Sequence, residues 1–366
     1  MKKSTLIGII SYAVVFVALL LVATFYDLQI NIALGNADSL FGQFFRLWGE
    51  SVGWLMIPIG GAILFCACDK KSKIGKIVAI VWLAVVFVGW YLSVSYFLEE
   101  FTGDSYIEGK YGSPYRAITL YSVTFAVIFT GIHIWAVSKI KKETLAKLVI
   151  FALAMLIALA INQIITTVMK NIWTRQRFRN LDIGNGGTSS NGFTPWYKAG
   201  LGQNRDAALY YVEDSAGMMQ KDAYKSFPSG HTSTAAITLV LIMLPDIFEK
   251  LKKFKVWFYV VPIIFTVLVA ISRIVNRAHY LSDVLFGATL GFISVFISIT
   301  LVKIAEKKKT KNKFMLNATK ILVGQTESEI EMETILNENS EIENEDIRNS
   351  NIENTEAIDK DINIER

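Results

Sequence analysis

The sequence predicts an all-α, polytopic transmembrane helix bundle of about eight spans with both termini cytoplasmic. Three observations carry that prediction. Of the 366 residues, 52% are hydrophobic and only 19% are charged, below the roughly 25% charge of soluble globular domains. The apolar residues are gathered into long blocks with almost no charge inside them, as bilayer-crossing segments require. Lysine-rich connections alternate with connections poor in lysine. This composition excludes a disordered chain and a nucleic-acid-binding tail protein, and it argues against a water-soluble enzyme. The net charge of +5 hides two regions of opposite sign. Residues 326–366 hold 14 acidic and 3 basic residues, whereas the remainder holds 34 basic and 18 acidic.

The blocks run at about Thr5–Phe25, Gly53–Cys68, Ile77–Leu98, Ala117–Val137, Leu145–Met169, His231–Phe248, Val256–Ile271 and Leu281–Lys303. Most reach the roughly 20 residues that cross a hydrocarbon core of about 30 Å. The first is too long for the apolar region of a cleaved signal peptide and has no small-x-small site after it. The second is short and holds Pro58, Gly60 and Gly61, yet the charge pattern needs it. Lys2 and Lys3 precede the first block, and Lys70, Lys71, Lys73 and Lys76 follow the second. Lys139, Lys141, Lys142 and Lys147 follow the fourth; Lys250, Lys252, Lys253 and Lys255 follow the sixth; Lys307, Lys308, Lys309, Lys311 and Lys313 follow the eighth. Under the positive-inside rule all these ends are cytoplasmic, and removing the second span would break the parity of everything after it. Cys66 and Cys68 point in different directions on a helix and read as small apolar residues, not as a pair.

The expected organisation is therefore an N-terminal set of four spans (1–144), a second transmembrane region (145–305) with an external connection at 170–230, and a cytoplasmic tail (306–366), basic then acidic. The tail's composition reads as disordered, with a short helix near Glu327–Leu336. The external connection mixes Gly184, Gly186, Gly187 and Gly192 with Trp173, Trp196, Tyr197, Tyr210 and Tyr211. Those aromatics suit a headgroup layer, and residues 180–225 are candidates for a lid or headgroup selector.

The external ends of the last four spans carry a concentrated polar set. Lys170, Arg177, Arg273 and Arg277 converge on one membrane face with few carboxylates to neutralise them, and clustered cations want an anion. Ionisable residues at membrane depth are functional candidates. Pro228-Ser229-Gly230 starts the sixth span so that its free N–H groups and positive dipole end point outward, which makes a phosphate-type site. Gly230 lets a ligand approach the backbone. His279 and Asp283 lie four apart on one helical face, where a carboxylate can hold one ring nitrogen and raise the basicity of the other. His231 comes from a different helix at the same depth. Two such histidines can divide the work: one attacks phosphorus, and the other protonates the leaving oxygen and later activates water. Taken singly, a histidine or arginine at a helix end is usually a cap or a snorkelling anchor. That reading is kept for His133, Arg179 and Lys198.

Three elements in order, Lys170 with Arg177 (K-x6-R), Pro228-Ser229-Gly230-His231 (P-S-G-H), and Ser272-Arg273 with His279 and Asp283 (S-R-x5-H-x3-D), resemble the type 2 phosphatidic acid phosphatase superfamily, relatives of the vanadium haloperoxidases. The one departure is Phe178, where the family has proline. The resemblance covers about Leu145 to Lys303 and implies a six-helix phosphatase core, with the additional pair of helices within Ile77–Val137. It implies that His279 is the phosphoryl-accepting nucleophile, that Asp283 orients it, and that His231 is the acid and then the base. Lys170, Arg177, Ser229, the Gly230 backbone and Arg273 then bind the phosphoryl oxygens. The family hydrolyses without a metal, and the sequence offers no cysteine–histidine cluster for one; no cofactor is expected. The implied function is a multi-pass cell-membrane lipid phosphatase with its site on the extracytoplasmic face. An undecaprenyl diphosphate, a phosphatidylglycerophosphate or a phosphatidate would each serve as substrate. Membrane lipids, and no nucleic acid, are the expected partners. A phosphotransferase that passes the group to a lipid or sugar hydroxyl is the alternative within enzymes. A non-catalytic transporter of an anionic lipid is the alternative outside them, and it gives no role to the His279–Asp283 pair.

Overall fold

The computed structural model describes residues 3–102, 113–198, 212–213, 219–220 and 223–308. The acidic tail, its expected short helix, Lys2, Lys309, Lys311, Lys313 and much of the 180–225 connection lie outside the described residues. Among the described residues, eight helices are long and apolar enough to cross a membrane: α1 (Lys3–Leu34), α2 (Leu40–Ala67), α3 (Lys73–Thr102), α4 (Ser113–Ser138), α5 (Lys142–Trp173), α6 (Gly230–Ile247), α7 (Trp257–Val275) and α8 (Leu281–Lys308). The fold is all-α. Its one departure among the described residues is a two-residue antiparallel ladder in the external connection, where Val212 pairs with Gln220.

The doubtful second span is a full helix that runs from Leu40 through Pro58 to Ala67. Its small residues are what make it. A Cβ at Gly89 of α3 would sit 2.6 Å from the Pro58 ring of α2, so the missing side chain lets the two helices meet at the proline. Small residues at interfaces drive helix association where lipid is as apolar as any core. The α2–α3–α4 group packs mainly on itself and joins the rest through α2, which also lies against α5, α6 and α7.

The main core sits between α2, α5 and α6, with Leu64, Val149, Ala152, Met155, Ala158, Ile237 and Val240 buried. The outward faces are apolar instead of polar: Val14, Phe25, Ile80, Leu120 and Phe296 are each more than half exposed. Exposed apolar surface on that scale belongs against hydrocarbon. Helix α6 changes pitch midway, with a 3-10 stretch over Thr238–Met243 inside it.

Helices α6 and α8 touch backbone to backbone. A Cβ at Gly287 would run into the Ser229 carbonyl, and one at Gly291 into the Ser233 carbonyl. These two glycines, four apart on one face of α8, set the depth at which the start of α6 lies against the start of α8. Asn162 of α5 then donates to the Ser233 hydroxyl at 3.1 Å, which brings α5 into the same layer. Gly287→Val should therefore push the helices apart and lower stability by about 1–3 kcal/mol. Thermal unfolding in detergent reads this, and an unchanged midpoint would show that the contact is slack.

Candidate active site

The C-terminal ends of α5 and α7 and the N-terminal ends of α6 and α8 lie at one end of the bundle, and local backbone geometry turns their polar residues inward. Helix α5 stops at Thr174, which takes a left-handed conformation (φ 42°) while its N–H closes on the Lys170 carbonyl. The chain then runs beside residues 223–226: the Arg177 N–H donates to the Ala223 carbonyl at 2.8 Å, and the Ser226 N–H to the Arg175 carbonyl at 3.0 Å. Arg177 adopts φ −72° and ψ 147°, the extended conformation that a following proline would impose. Phe178 thus preserves the geometry of the position, and its buried ring packs edge-on to Tyr280 at 6.3 Å.

His279 is 1% exposed. Its Nδ1 lies 2.6 Å from the Ser226 carbonyl oxygen, and its Nε2 lies 3.2 Å from Nη1 of Arg177. A carbonyl only accepts and a guanidinium only donates. The proton is therefore on Nδ1, and the lone pair on Nε2 faces the arginine. Burial first, and then the Arg177 guanidinium, hold the imidazole well below the usual histidine range, which keeps the ring neutral.

Asp283 lies 3.6 Å from Nδ1, so the expected direct bond from the carboxylate to the ring is replaced by the Ser226 carbonyl. The carboxylate instead accepts from the Ser226 hydroxyl at 2.5 Å, the Tyr280 N–H at 2.9 Å and Nη1 of Arg175 at 2.6 Å. It acts on the ring through the loop that carries Ser226. Arg175, which sequence reasoning passed over, is fully buried. It pairs with both Asp283 and Asp27 of α1, the latter at 2.9 Å, and lies 4.1 Å over the Tyr280 ring. Asp27 also accepts from the Ser282 N–H at 3.0 Å and bonds the Ser282 hydroxyl. Asn31 of α1 donates to the His279 carbonyl at 3.1 Å.

Ser229 is the N-cap of α6. Its hydroxyl accepts from the Thr232 N–H at 3.4 Å, and its own N–H goes to the Asp283 carbonyl at 3.0 Å. The N–H groups of Gly230 and His231 then have no acceptor within the helix. A Cβ at Gly230 would sit 3.4 Å from the Lys170 ammonium, so that cation stands over the helix start. Arg273, 1% exposed, is close enough to act electrostatically on both His231 and His279. The expected set of Lys170, Arg177, Ser229, Gly230, His231, Arg273, His279 and Asp283 is thus brought to one place, with one correction among the cations. Arg277 does not join them: its guanidinium donates to the carbonyls of Gly184 at 3.0 Å and Gly35 at 3.2 Å. It clamps the external connections, from a backbone at φ 57°. The cations also have more carboxylate company than expected, since Asp27 and Glu50 lie within helices and not in the connections. Glu50 of α2 meets Nδ1 of His231 at 2.9 Å. His133 lies in α4 against Trp90, away from this end. Trp173 and Trp196 donate to protein acceptors, the Trp196 carbonyl and Thr24 respectively.

Two outcomes follow from this geometry. Arg175→Met should strand two buried carboxylates and cost about 3–5 kcal/mol, read by unfolding in detergent, with part of the loss recovered on adding Asp27→Asn. In nitrogen-15 histidine NMR the His279 Nε2 should still report an unprotonated ring at pH 6, where an ordinary imidazole of pKa about 6.5 is mostly charged. A protonated Nε2 there would overturn the assignment of the lone pair.

Residues 151–307 match the family model described as the PAP2 superfamily. Phosphatidylglycerophosphatase B of Bacillus subtilis (strain 168) is 35% identical over 86 residues, covering 23% of this chain and 42% of that protein. A protein named "Probable lipid phosphate phosphatase 4" of Arabidopsis thaliana is 37% identical over 86 residues, covering 21% of this chain and 27% of its own length. The chain spans less than half the length of the curated relatives it matches. No solved structure matches at the same stringency. The stretch that matches the PAP2 superfamily, residues 151–307, is the one that brings the three motif elements to one end of the bundle.

Proposed function

We propose that this protein is an integral membrane phosphatase that removes the terminal phosphoryl group from a lipid phosphate or isoprenyl diphosphate at the extracytoplasmic face. The observation that carries the reading is the tautomer of His279: Nδ1–H is committed to the Ser226 carbonyl, and the Nε2 lone pair faces Arg177. A neutral, oriented imidazole beside a cation is a nucleophile aimed at an anion. The matched relatives' names, a phosphatidylglycerophosphatase and a lipid phosphate phosphatase, favour a phospholipid monoester or its diphosphate counterpart.

In this reading Lys170, Arg177 and Arg273, with the Gly230 and His231 N–H groups, hold the phosphoryl oxygens and stabilise the charge that spreads over them in the transition state. The Nε2 lone pair of His279 attacks phosphorus. The P–N bond forms as the bond to the leaving oxygen breaks; that oxygen keeps the bonding pair and takes a proton from His231. A water molecule then gives a proton to His231 while its oxygen attacks phosphorus. The P–N pair returns to Nε2, and inorganic phosphate departs. Asp283 and Arg175 hold the loop that aligns the ring.

The assignment of the face rests on charge. Lys70, Lys71, Lys139, Lys141, Lys250, Lys252, Lys253 and Lys255 lie in the connections at the end of the bundle away from His231 and His279, the end that stays in the cytoplasm under the positive-inside rule.

Phosphate release should be measured in proteoliposomes across purified lipid phosphates and diphosphates. His279→Ala should lose at least about 10⁴-fold, the scale set by removing a covalent nucleophile. His231→Ala should accumulate an acid-labile, alkali-stable phosphoryl label on His279 when the donor is a phosphorus-32 labelled aryl phosphate, whose leaving group departs without an acid. Turnover of His279→Ala at the wild-type rate would refute the mechanism.

A further inference from the structure

His231 is held by the half of the chain that the family model does not match. Its Nδ1 lies 2.9 Å from Oε2 of Glu50 on α2, and its Nε2 lies 3.1 Å from the hydroxyl of Tyr96 on α3. The Tyr96 hydroxyl is also 3.1 Å from the Arg46 carbonyl, an acceptor only, so the phenolic proton is spoken for and its oxygen is left to accept from Nε2. Arg46 in turn is ion-paired with Glu100 of α3, which fastens α2 to α3 beside the tyrosine. Both ring nitrogens of His231 therefore face acceptors. Each nitrogen thus has an acceptor for its proton when the ring is in the acid form that must protonate the leaving oxygen. The Glu50 and His231 side chains are 20% and 14% exposed, whereas Asp283 and His279 are 0% and 1%. The Glu50–His231 pair thus lies at the mouth of the site and the nucleophile at its floor.

We propose that Glu50 is the positioning residue for the acid–base histidine: it fixes Nδ1 of His231, so that Nε2 is the nitrogen that exchanges its proton with the leaving oxygen and then with water. Tyr96 stands at Nε2, and its hydroxyl marks where the leaving oxygen arrives. The mechanism above assigns no orienting group to His231, and nothing in the matched region supplies one among the described residues. Helices α2 and α3 are accordingly part of the catalytic apparatus and not additions to it. This inference rests on the phosphatase reading.

The test uses the full chain in detergent or proteoliposomes, with para-nitrophenyl phosphate beside the lipid substrate. An aryl phosphate has a leaving group that departs without an acid. Glu50→Gln should lower kcat on the lipid by about 10- to 100-fold with KM nearly unchanged. On the aryl phosphate it should keep a rapid burst of about one equivalent of nitrophenol, followed by slow turnover, because the water step still needs His231. In a His231→Ala background, Glu50→Gln should add no further loss. A structural role for Glu50 predicts the opposite: loss of the burst together with turnover, and a full additional loss in that background. Either result, or an unchanged kcat on the lipid, overturns the proposal while wild-type turnover leaves the phosphatase reading standing. Absence of any wild-type burst or turnover sinks both.

Discussion

Burying a full positive charge is the constraint on which the rest of this structure depends. Arg175 has lost all contact with solvent, and an ion taken so far from water costs several kcal/mol unless partners replace its hydration. Asp27 and Asp283 supply opposite charge, the Thr194 carbonyl accepts from Nε at 2.8 Å, and the Tyr280 face lies beneath the guanidinium. To satisfy one cation, the chain must bring together α1, the strand-like turn after α5, the external connection and the first turn of α8. The same carboxylate that neutralises Arg175 also ties down Ser226, so the alignment of His279 is a by-product of solving the charge problem.

The two imidazoles sit in contrasting surroundings. His279 is sealed, neutral and held by backbone. His231 is partly open, held by side chains from α2 and α3, and flanked by carboxylate and phenol. One ring has Nδ1 on a backbone carbonyl and Nε2 beside a cation, and the other has both nitrogens beside acceptors; unlike surroundings set two titratable groups apart. Both are brought to the same depth by the glycine contact of α8 against α6 and by the cap that Ser229 provides. The packing of two helices therefore sets how the two imidazoles stand relative to each other.

Much of this was legible in the sequence because it is local. The eight blocks, the alternation of lysines and the three motif elements lie within short windows, and each became a helix or a helix end where its pattern placed it. Helix α2 was harder to read because Pro58, Gly60 and Gly61 lower its apolar count, although Pro58 and Gly61 lie against α3 and Gly60 lies against Leu156 of α5. What escaped was contact between distant residues. Asp27 with Arg175, Glu50 with His231 and Tyr96 with His231 are separated by 148, 181 and 135 positions, and no spacing rule joins them. The usable signal was that Asp27 and Glu50 are carboxylates at the edges of apolar runs, where ionisable groups are rarely idle. Arg277 misled for the complementary reason: its sign suits an anion, but a left-handed backbone turns it toward carbonyls.

The acceptor that selects the His279 tautomer is a main-chain oxygen. Every amino acid at position 226 would present the same carbonyl, so this feature of the reactive ring cannot be erased by a side-chain change there; only the tether to Asp283 can. Mutational drift at that position is therefore buffered with respect to chemistry and exposed only with respect to loop placement. The vulnerability of the His279 ring is moved from the residue that touches it to the charge cluster that holds the loop in register.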